Sequence, residues 1–201
     1  GKKLAKLHRL SANFHKEKNN DFSINKWVKI FEKLKKKVHS YFPETDSIIS
    51  KELNFLKENW LKNLPKGIIH ADLFPDNILF ENNKISGIID FYFAANDFYM
   101  YEIAICVNAL CFDKNKTKFS INKDKVRNLI KGYESIKKIS KREKKSLNIL
   151  CRGAAMRYFL TRLYDYTNTP KTALIKIKDP REYYQKLIIH NNFKNYRDYL
   201  V

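Results

Sequence analysis

Ile68-Ile69-His70-Ala71-Asp72-Leu73-Phe74-Pro75-Asp76-Asn77-Ile78-Leu79-Phe80-Glu81-Asn82-Asn83-Lys84-Ile85-Ser86-Gly87-Ile88-Ile89-Asp90 is the stretch on which the reading of the whole chain turns. An apolar approach, a polar loop holding His70, Asp72 and Asn77, and two apolar runs on either side of Asn82-Asn83 spell a strand, a loop and a hairpin. With Asn82-Asn83 as a two-residue turn, Glu81 faces Lys84, and regular pairing carried along the ribbon sets Asp90 opposite Pro75. Asp90 is then expected beside the Asp72 to Asn77 loop. Two carboxylates and one amide oxygen would lie within about 7 to 10 Å of one another at strand spacing. Such a set suits a hard cation.

His70, Asp72 and Asn77 also stand at the H-x-D-x-x-x-x-N spacing of a phosphotransferase catalytic loop, followed after a hairpin by an aspartate in an apolar setting. Phosphoryl transfer needs a carboxylate to accept the proton of the attacking hydroxyl, and oxygen ligands to hold Mg²⁺ against nucleotide phosphates. Asp72 fits the first need. Asn77 and Asp90 fit the second, and the neutral amide adds no further negative charge beside phosphate. The competing reading makes Asp72, Asp76 and Asn77 turn formers and Asp90 a capping residue. The full spacing together with the hairpin argues against it, whereas H-x-D alone would be a weak signal.

His70-Ala71-Asp72-Leu73-Phe74-Pro75-Asp76-Asn77 followed by Gly87-Ile88-Ile89-Asp90-Phe91-Tyr92-Phe93 resembles the homoserine kinase family of the aminoglycoside-phosphotransferase-like (choline kinase-like) kinases. The similarity continues through Asn96-Asp97, Tyr101-Glu102-Ile103-Ala104 and the segment from Arg152 to Asp165, and so covers most of the chain. Aminoglycoside and choline kinases usually carry Gly-Asn where this chain has Asp76-Asn77, and relatives usually carry Asp where Glu102 stands. The resemblance implies an α+β fold: a mostly helical C-terminal lobe of a protein-kinase-like fold, with a small β-hairpin at the catalytic loop. It implies ATP and Mg²⁺ as cofactors and L-homoserine, on the way to threonine, as the hydroxyl acceptor. Asp72 would be the catalytic base, and Asn77 and Asp90 would hold Mg²⁺ and through it the nucleotide. Asp76 is a candidate for the substrate ammonium, and one of Arg157 and Arg162 for the substrate carboxylate, since arginine grips carboxylates in bidentate fashion. Two rivals stand beside this reading. One is a kinase of the same group for choline, ethanolamine or an aminoglycoside; the other is a non-catalytic binding domain that keeps the helical shell.

A chain of 201 residues with 44% hydrophobic and 14% aromatic residues can bury a sizeable core, which excludes disorder. The formal charge of +19 raises nucleic acid or an anionic membrane as partners. Its distribution argues otherwise: from Lys66 to Phe112 two lysines stand against six acidic residues, an acidic centre in a basic body. Of the 40 basic residues only eight are arginine, the residue on which sequence-reading nucleic-acid surfaces lean. A solvated lysine surface, with no specific nucleic-acid partner, is the expectation. Cys106, Cys111 and Cys151 lie in apolar helical patterns without metal-ligand spacing and read as buried free thiols. No apolar run is long enough to span a membrane and no signal-peptide core follows Gly1-Lys2-Lys3, so a cytoplasmic location is expected.

Helical periodicity predicts a first stripe of Leu4, Leu7, Leu10 or Ser11, and Phe14, with His8 as a packed or surface helix residue and not a ligand. Trp27, Ile30, Phe31, Leu34, Val38 and Tyr41 form a second stripe ended by Pro43, and Ile49, Leu53, Leu56, Trp60 and Leu64 a third ended by Pro65. Phe91-Tyr92-Phe93 reads as a buried continuation of the hairpin, and Asp97 as the cap of a helix through Leu110, with a contact to substrate as the alternative. Further helices are expected around Val126 to Tyr133 and Leu147 to Thr161, and after Asp179-Pro180, an N-cap with proline at the first helical position. The five glycines contain no G-x-G-x-x-G, and no alternating strands precede the first helix. Residues 1–201 are therefore expected to form a lower lobe alone, with its catalytic loop at 70–77 and the metal-binding end of its hairpin at 90. The nucleotide-binding lobe lies outside this chain, which is expected to have little turnover by itself.

Overall fold

The computed structural model describes residues 1–43, 45–170, 172, 174 and 177–201. Seven helices make up most of them: α1 (Lys2–Leu10), α2 (Ile24–Tyr41), α3 (Thr45–Asn59), α4 (Tyr99–Leu110), α5 (Lys123–Glu134), α6 (Lys141–Asn168) and α7 (Arg181–Asn191). Three two-stranded antiparallel ribbons complete the fold: β1 (Lys66–Ile69) with β4 (Ala95–Phe98), β2 (Ile78–Glu81) with β3 (Lys84–Ile88), and β5 (Phe112–Asn115) with β6 (Lys118–Ile121). The chain is thus the expected α+β, mostly helical domain.

The long helix α6 is the axis of the core. Its start is set locally: the Ser140 side chain accepts the Glu143 N–H and the Glu143 carboxylate takes the Ser140 N–H, a reciprocal cap. Between Gly153 and Leu163 α6 is buried almost all round, because α2, α4 and α7 pack against it. Helix α4 is likewise buried from Tyr99 to Asn108, as its nearly unbroken apolar sequence requires. Gly153 lets α6 approach two indoles: a Cβ there would come 2.5 Å from Trp60 and 3.2 Å from Trp27. All three cysteines are buried free thiols. Among the described residues no helix is long and apolar enough to cross a membrane.

The stripes of α2 and α3 are buried at Trp27, Ile30, Phe31, Leu34, Val38, Ile49, Leu53 and Leu56. Helix α1 departs from expectation. It ends at Leu10 in a single 3₁₀ turn, Ser11–Asn13, which breaks the helical phase. Leu10, still inside the helix, and Phe14, beyond the turn, are 79% and 57% exposed, Ser11 is half-buried, and the buried face is Leu4, Ala5 and His8. His8 is packed, with Nδ1 2.8 Å from the Tyr133 hydroxyl; burial, and then Lys137, push its pKa down to about 3.

The central hairpin forms at the expected turn: Asn82 and Asn83 both take left-handed φ, 49° and 59°, which asparagine tolerates. Glu81 faces Lys84 and Phe80 faces Ile85, but a bulge between Leu79 and Phe80 then shifts the register, so that Ile88 faces Ile78. Asp90 is displaced by one residue from its expected place opposite Pro75. Nor does the chain after it stay buried. Asp90 adopts φ 62°, ψ 62°, an exposed 3₁₀ turn follows at Phe91–Phe93, and Tyr92 is 77% exposed. Among the described residues the ribbon has no third strand to carry the segment inward. Asp97 is not the cap of α4, whose N-cap is Phe98. It accepts instead from the Phe98 N–H and from Asn20 Nδ2, both at 2.7 Å, and ties the segment before α2 to β4.

Candidate active site

The loop between β1 and β2 is built around one peptide group. Ala71 takes a left-handed φ of 63°, a strained conformation for a residue with a Cβ, and persists in it because both of its polar groups are held. Its N–H donates to Glu102 Oε2 at 3.0 Å, while its carbonyl accepts from Arg157 Nη1 at 2.6 Å and from the Tyr158 hydroxyl at 3.0 Å. Glu102 comes from α4 and Arg157 and Tyr158 from α6, so the two core helices grip the loop from opposite ends. Burial raises the Glu102 carboxyl to about 7, opposed by the N–H groups of Ala71 and His70. Burial also pushes the Tyr158 phenol well above its usual range, which keeps its proton available for donation.

Held this way, the next residue presents its carboxylate. Asp72 Oδ1 lies 3.1 Å from the Tyr158 hydroxyl, leaving the second oxygen for other work. Asn77, in a single 3₁₀ turn, donates Nδ2 to the Asp72 carbonyl at 2.8 Å. That bond orients the amide and leaves its oxygen, a possible cation ligand, out of the contact. His70 latches the loop to the hairpin: Nδ1 accepts the Asp72 N–H at 3.2 Å and Nε2 donates to the Ile89 carbonyl at 2.8 Å. The Ile89 N–H donates to the Asn77 carbonyl at 3.1 Å. Asp90 is thereby tied through its neighbour Ile89 to the loop that carries Asp72 and Asn77. All three line one cavity of about 1000 Å³, together with Phe22, Phe74 and residues of α2 and α6.

Asp76, Arg157 and Arg162 line the same cavity, but each already has a partner. Asp76 is exposed and pairs with Lys178 Nζ at 3.2 Å. Arg157 is 2% exposed, spends its hydrogen bond on Ala71, and lies 4.9 Å from the Phe22 ring. Arg162 donates to Glu182 Oε2 at 2.7 Å. Of the contributors missing from the sequence reading, Tyr158 was legible only as one member of an apolar stripe, and nothing in the pattern set Lys178 or Glu182 near the loop. Glu102 was legible through the resemblance, as the residue standing where relatives usually carry Asp, and as an acidic residue in an otherwise apolar helix.

Residues 1–119 match the family described as "Phosphotransferase enzyme family". Among curated relatives, the homoserine kinase of Nitrobacter hamburgensis is 43% identical over 201 residues, covering 100% of this chain and 61% of that protein. The homoserine kinase of Xanthobacter autotrophicus is 44% identical over 199 residues, covering 99% and 61%. The chain thus spans about three fifths of the length of these relatives. Among solved structures, the amicoumacin kinase hAmiN in complex with AMP-PNP, Ca²⁺ and Ami superposes with a TM-score of 0.65 at 12% identity, over 95% of this chain and 57% of that one. A choline kinase from Cryptosporidium parvum Iowa II gives 0.60 at 17% identity, over 99% and 62%. At such identities these two likenesses concern the fold alone.

Proposed function

This chain belongs to the phosphotransferase enzyme family, and on that premise we propose that it is the lower lobe of an ATP- and Mg²⁺-dependent kinase that phosphorylates the hydroxyl of L-homoserine, a cytoplasmic step toward threonine. The acceptor is read from the curated homoserine kinases, 41–44% identical over nearly the whole chain. The observation that supports the chemistry most is the doubly held Ala71 peptide, which sets the Asp72 carboxylate on the wall of a cavity shared with Asn77 and Asp90.

In this reading Asp72 accepts the proton of the acceptor hydroxyl, at the carboxylate oxygen that Tyr158 does not engage. The bond from Tyr158 and the two helices holding Ala71 keep the base in place before substrate arrives, so little reorganisation remains for the chemical step. Asn77 and Asp90 fit Mg²⁺, since both offer hard oxygen donors and lie on one wall. Among the described residues no group of three His, Cys, Asp or Glu side chains could hold a metal. With Asn77 and Asp90 as its protein ligands, Mg²⁺ would leave its other positions to phosphate and water. ATP bound with Mg²⁺ supplies the phosphoryl group and neutralises the charge that develops on it.

The test uses the full-length protein with both lobes. Homoserine is expected to be phosphorylated in preference to choline and aminoglycosides, and Asp72→Asn to lower kcat by roughly 10² to 10⁴. Normal turnover by the Asp72→Asn variant overturns the base assignment. A preference for choline overturns the acceptor.

A further inference from the structure

Arg162 and Asp165 stand one turn apart on α6, carry opposite charges and line the same cavity, yet they do not pair. At this spacing helix side chains sit about 5 to 6 Å apart and ordinarily meet. Arg162 is drawn away by α7: its Nη1 donates to Glu182 Oε2 at 2.7 Å, and the guanidinium lies 4.4 Å from the Tyr183 ring centre. The other oxygen of Glu182 accepts from Lys186 Nζ at 2.6 Å, and Lys186 also reaches the Asn108 carbonyl at 2.8 Å. Two cations therefore share one carboxylate. Both are shielded from water, the side chain of Lys186 being 3% exposed and that of Arg162 10%. A surplus buried charge is costly unless a counter-ion meets it. Arg162 is the member that lines the cavity, and among the described residues only its Nη1 makes a hydrogen bond. A planar fork with an unused edge is the shape that takes a carboxylate.

Asp165 is the complement. Among the described residues no cation lies within salt-bridge distance of it, and partial burial pushes its carboxyl pKa upward. The placement along α6 also fits. Tyr158 touches Asp72, and Arg162 and Asp165 follow at i+4 and i+7, about 6 and 10 Å further along the axis. A ligand with its hydroxyl at Asp72 and its charged end a few carbons away would reach both. The carboxylate and ammonium of an α-amino acid share one carbon, so groups one turn apart can meet them together. Of the other candidates for these roles, Asp76 has the Lys178 ammonium, and Arg157, 2% exposed, is committed through Nη1 to holding the Ala71 carbonyl, although its Nε has no partner among the described residues.

We infer that Arg162 and Asp165 form a clamp for the charged end of an α-amino acid, Arg162 on the carboxylate and Asp165 on the ammonium, with Glu182 and Lys186 as positioning residues that hold Arg162 open. The inference rests on the amino-acid kinase reading and names the residues that would make the acceptor specific. It is tested on the full-length enzyme by comparing kcat/KM for homoserine, for 4-hydroxybutanoate, which lacks the ammonium, and for 3-aminopropan-1-ol, which lacks the carboxylate. Asp165→Asn is expected to cut kcat/KM for homoserine about tenfold to a hundredfold and to erase its preference over 4-hydroxybutanoate. Arg162→Gln is expected to erase the preference over 3-aminopropan-1-ol. Glu182→Gln is expected to raise KM for homoserine more than it lowers kcat, with partial rescue in Glu182→Asp. Asp165 lines the cavity outside the buried core, so its variant tests the clamp even where an Arg162 variant fails to fold. Wild-type preference ratios in both Asp165→Asn and Arg162→Gln, or equal losses for all three compounds, overturn the clamp while homoserine phosphorylation stands. A wild-type enzyme that does not phosphorylate homoserine overturns the parent reading and the clamp with it.

Discussion

Replacing Glu102 by glutamine isolates the one buried carboxyl that holds the loop. Glu102 is fully buried and its pKa is raised from 4.5 to about 7, chiefly by loss of water. A carboxyl whose pKa is raised by folding makes the native state bind more protons than the unfolded chain between those two values. Stability contributed by this group is therefore full below pH 4.5, falls as pH rises toward 7, and levels off above. At about 1.4 kcal/mol per unit the loss comes to about 3 kcal/mol. Glutamine keeps the length and an acceptor oxygen for the Ala71 N–H but does not titrate. The assay is urea unfolding of wild type and Glu102→Gln from pH 4.5 to about 8, taking the difference at each pH so that other groups cancel. The variant is expected to gain about 3 kcal/mol relative to wild type across that window. A difference that stays flat refutes the account of Glu102 as a buried, uncompensated carboxyl.

Three further outcomes follow from buried contacts. Gly153→Ala is expected to cost about 1 to 3 kcal/mol in urea unfolding, because its methyl would overlap the Trp60 ring and press on Trp27. Arg152 holds Glu52 through two 2.7 Å bonds, and Arg152→Met strands that buried carboxylate, at a cost of about 3 to 5 kcal/mol. Adding Glu52→Leu should recover much of that loss, since the unpaired charge is then gone. His190, bonded to Tyr199 and Asn108, has its pKa lowered to about 3 by burial and then by Lys186 and Arg152. It stays neutral when folded, so stability present above pH 6.5 is lost as pH falls toward 3, and His190→Gln should flatten that part of an acid-unfolding titration.

The legible parts of the fold were those written in short-range pattern. The apolar stripes of α2 and α3 announced themselves by periodicity, and the Asn82-Asn83 turn by two residues able to take positive φ. The ribbon of β5 and β6 escaped notice because Phe112-Asp113-Lys114-Asn115 is short and polar at three of its four residues, and its turn at Lys116 uses neither glycine nor asparagine at positive φ. The first helix was carried too far, to Phe14, because nothing in Leu7-His8-Arg9-Leu10 signals that the helix stops there. Asp97 looked like a cap because it precedes a helix, while its partner Asn20 lies 77 residues away.

By itself the sequence determined the loop spacing of His70, Asp72 and Asn77, the hairpin that returns the chain to Asp90, and the apolar faces that wrap them. All of these are settled by neighbours in sequence, through turn chemistry and periodicity. Tertiary structure alone decided how the loop is held and which charges remain for a ligand. The bonds that hold Ala71 join residues 31, 86 and 87 positions apart, and those that bind Arg162 to Glu182 and Asp76 to Lys178 span 20 and 102. Whether an arginine faces a substrate or a carbonyl depends on what the packed helices set opposite it, and no local pattern carries that information.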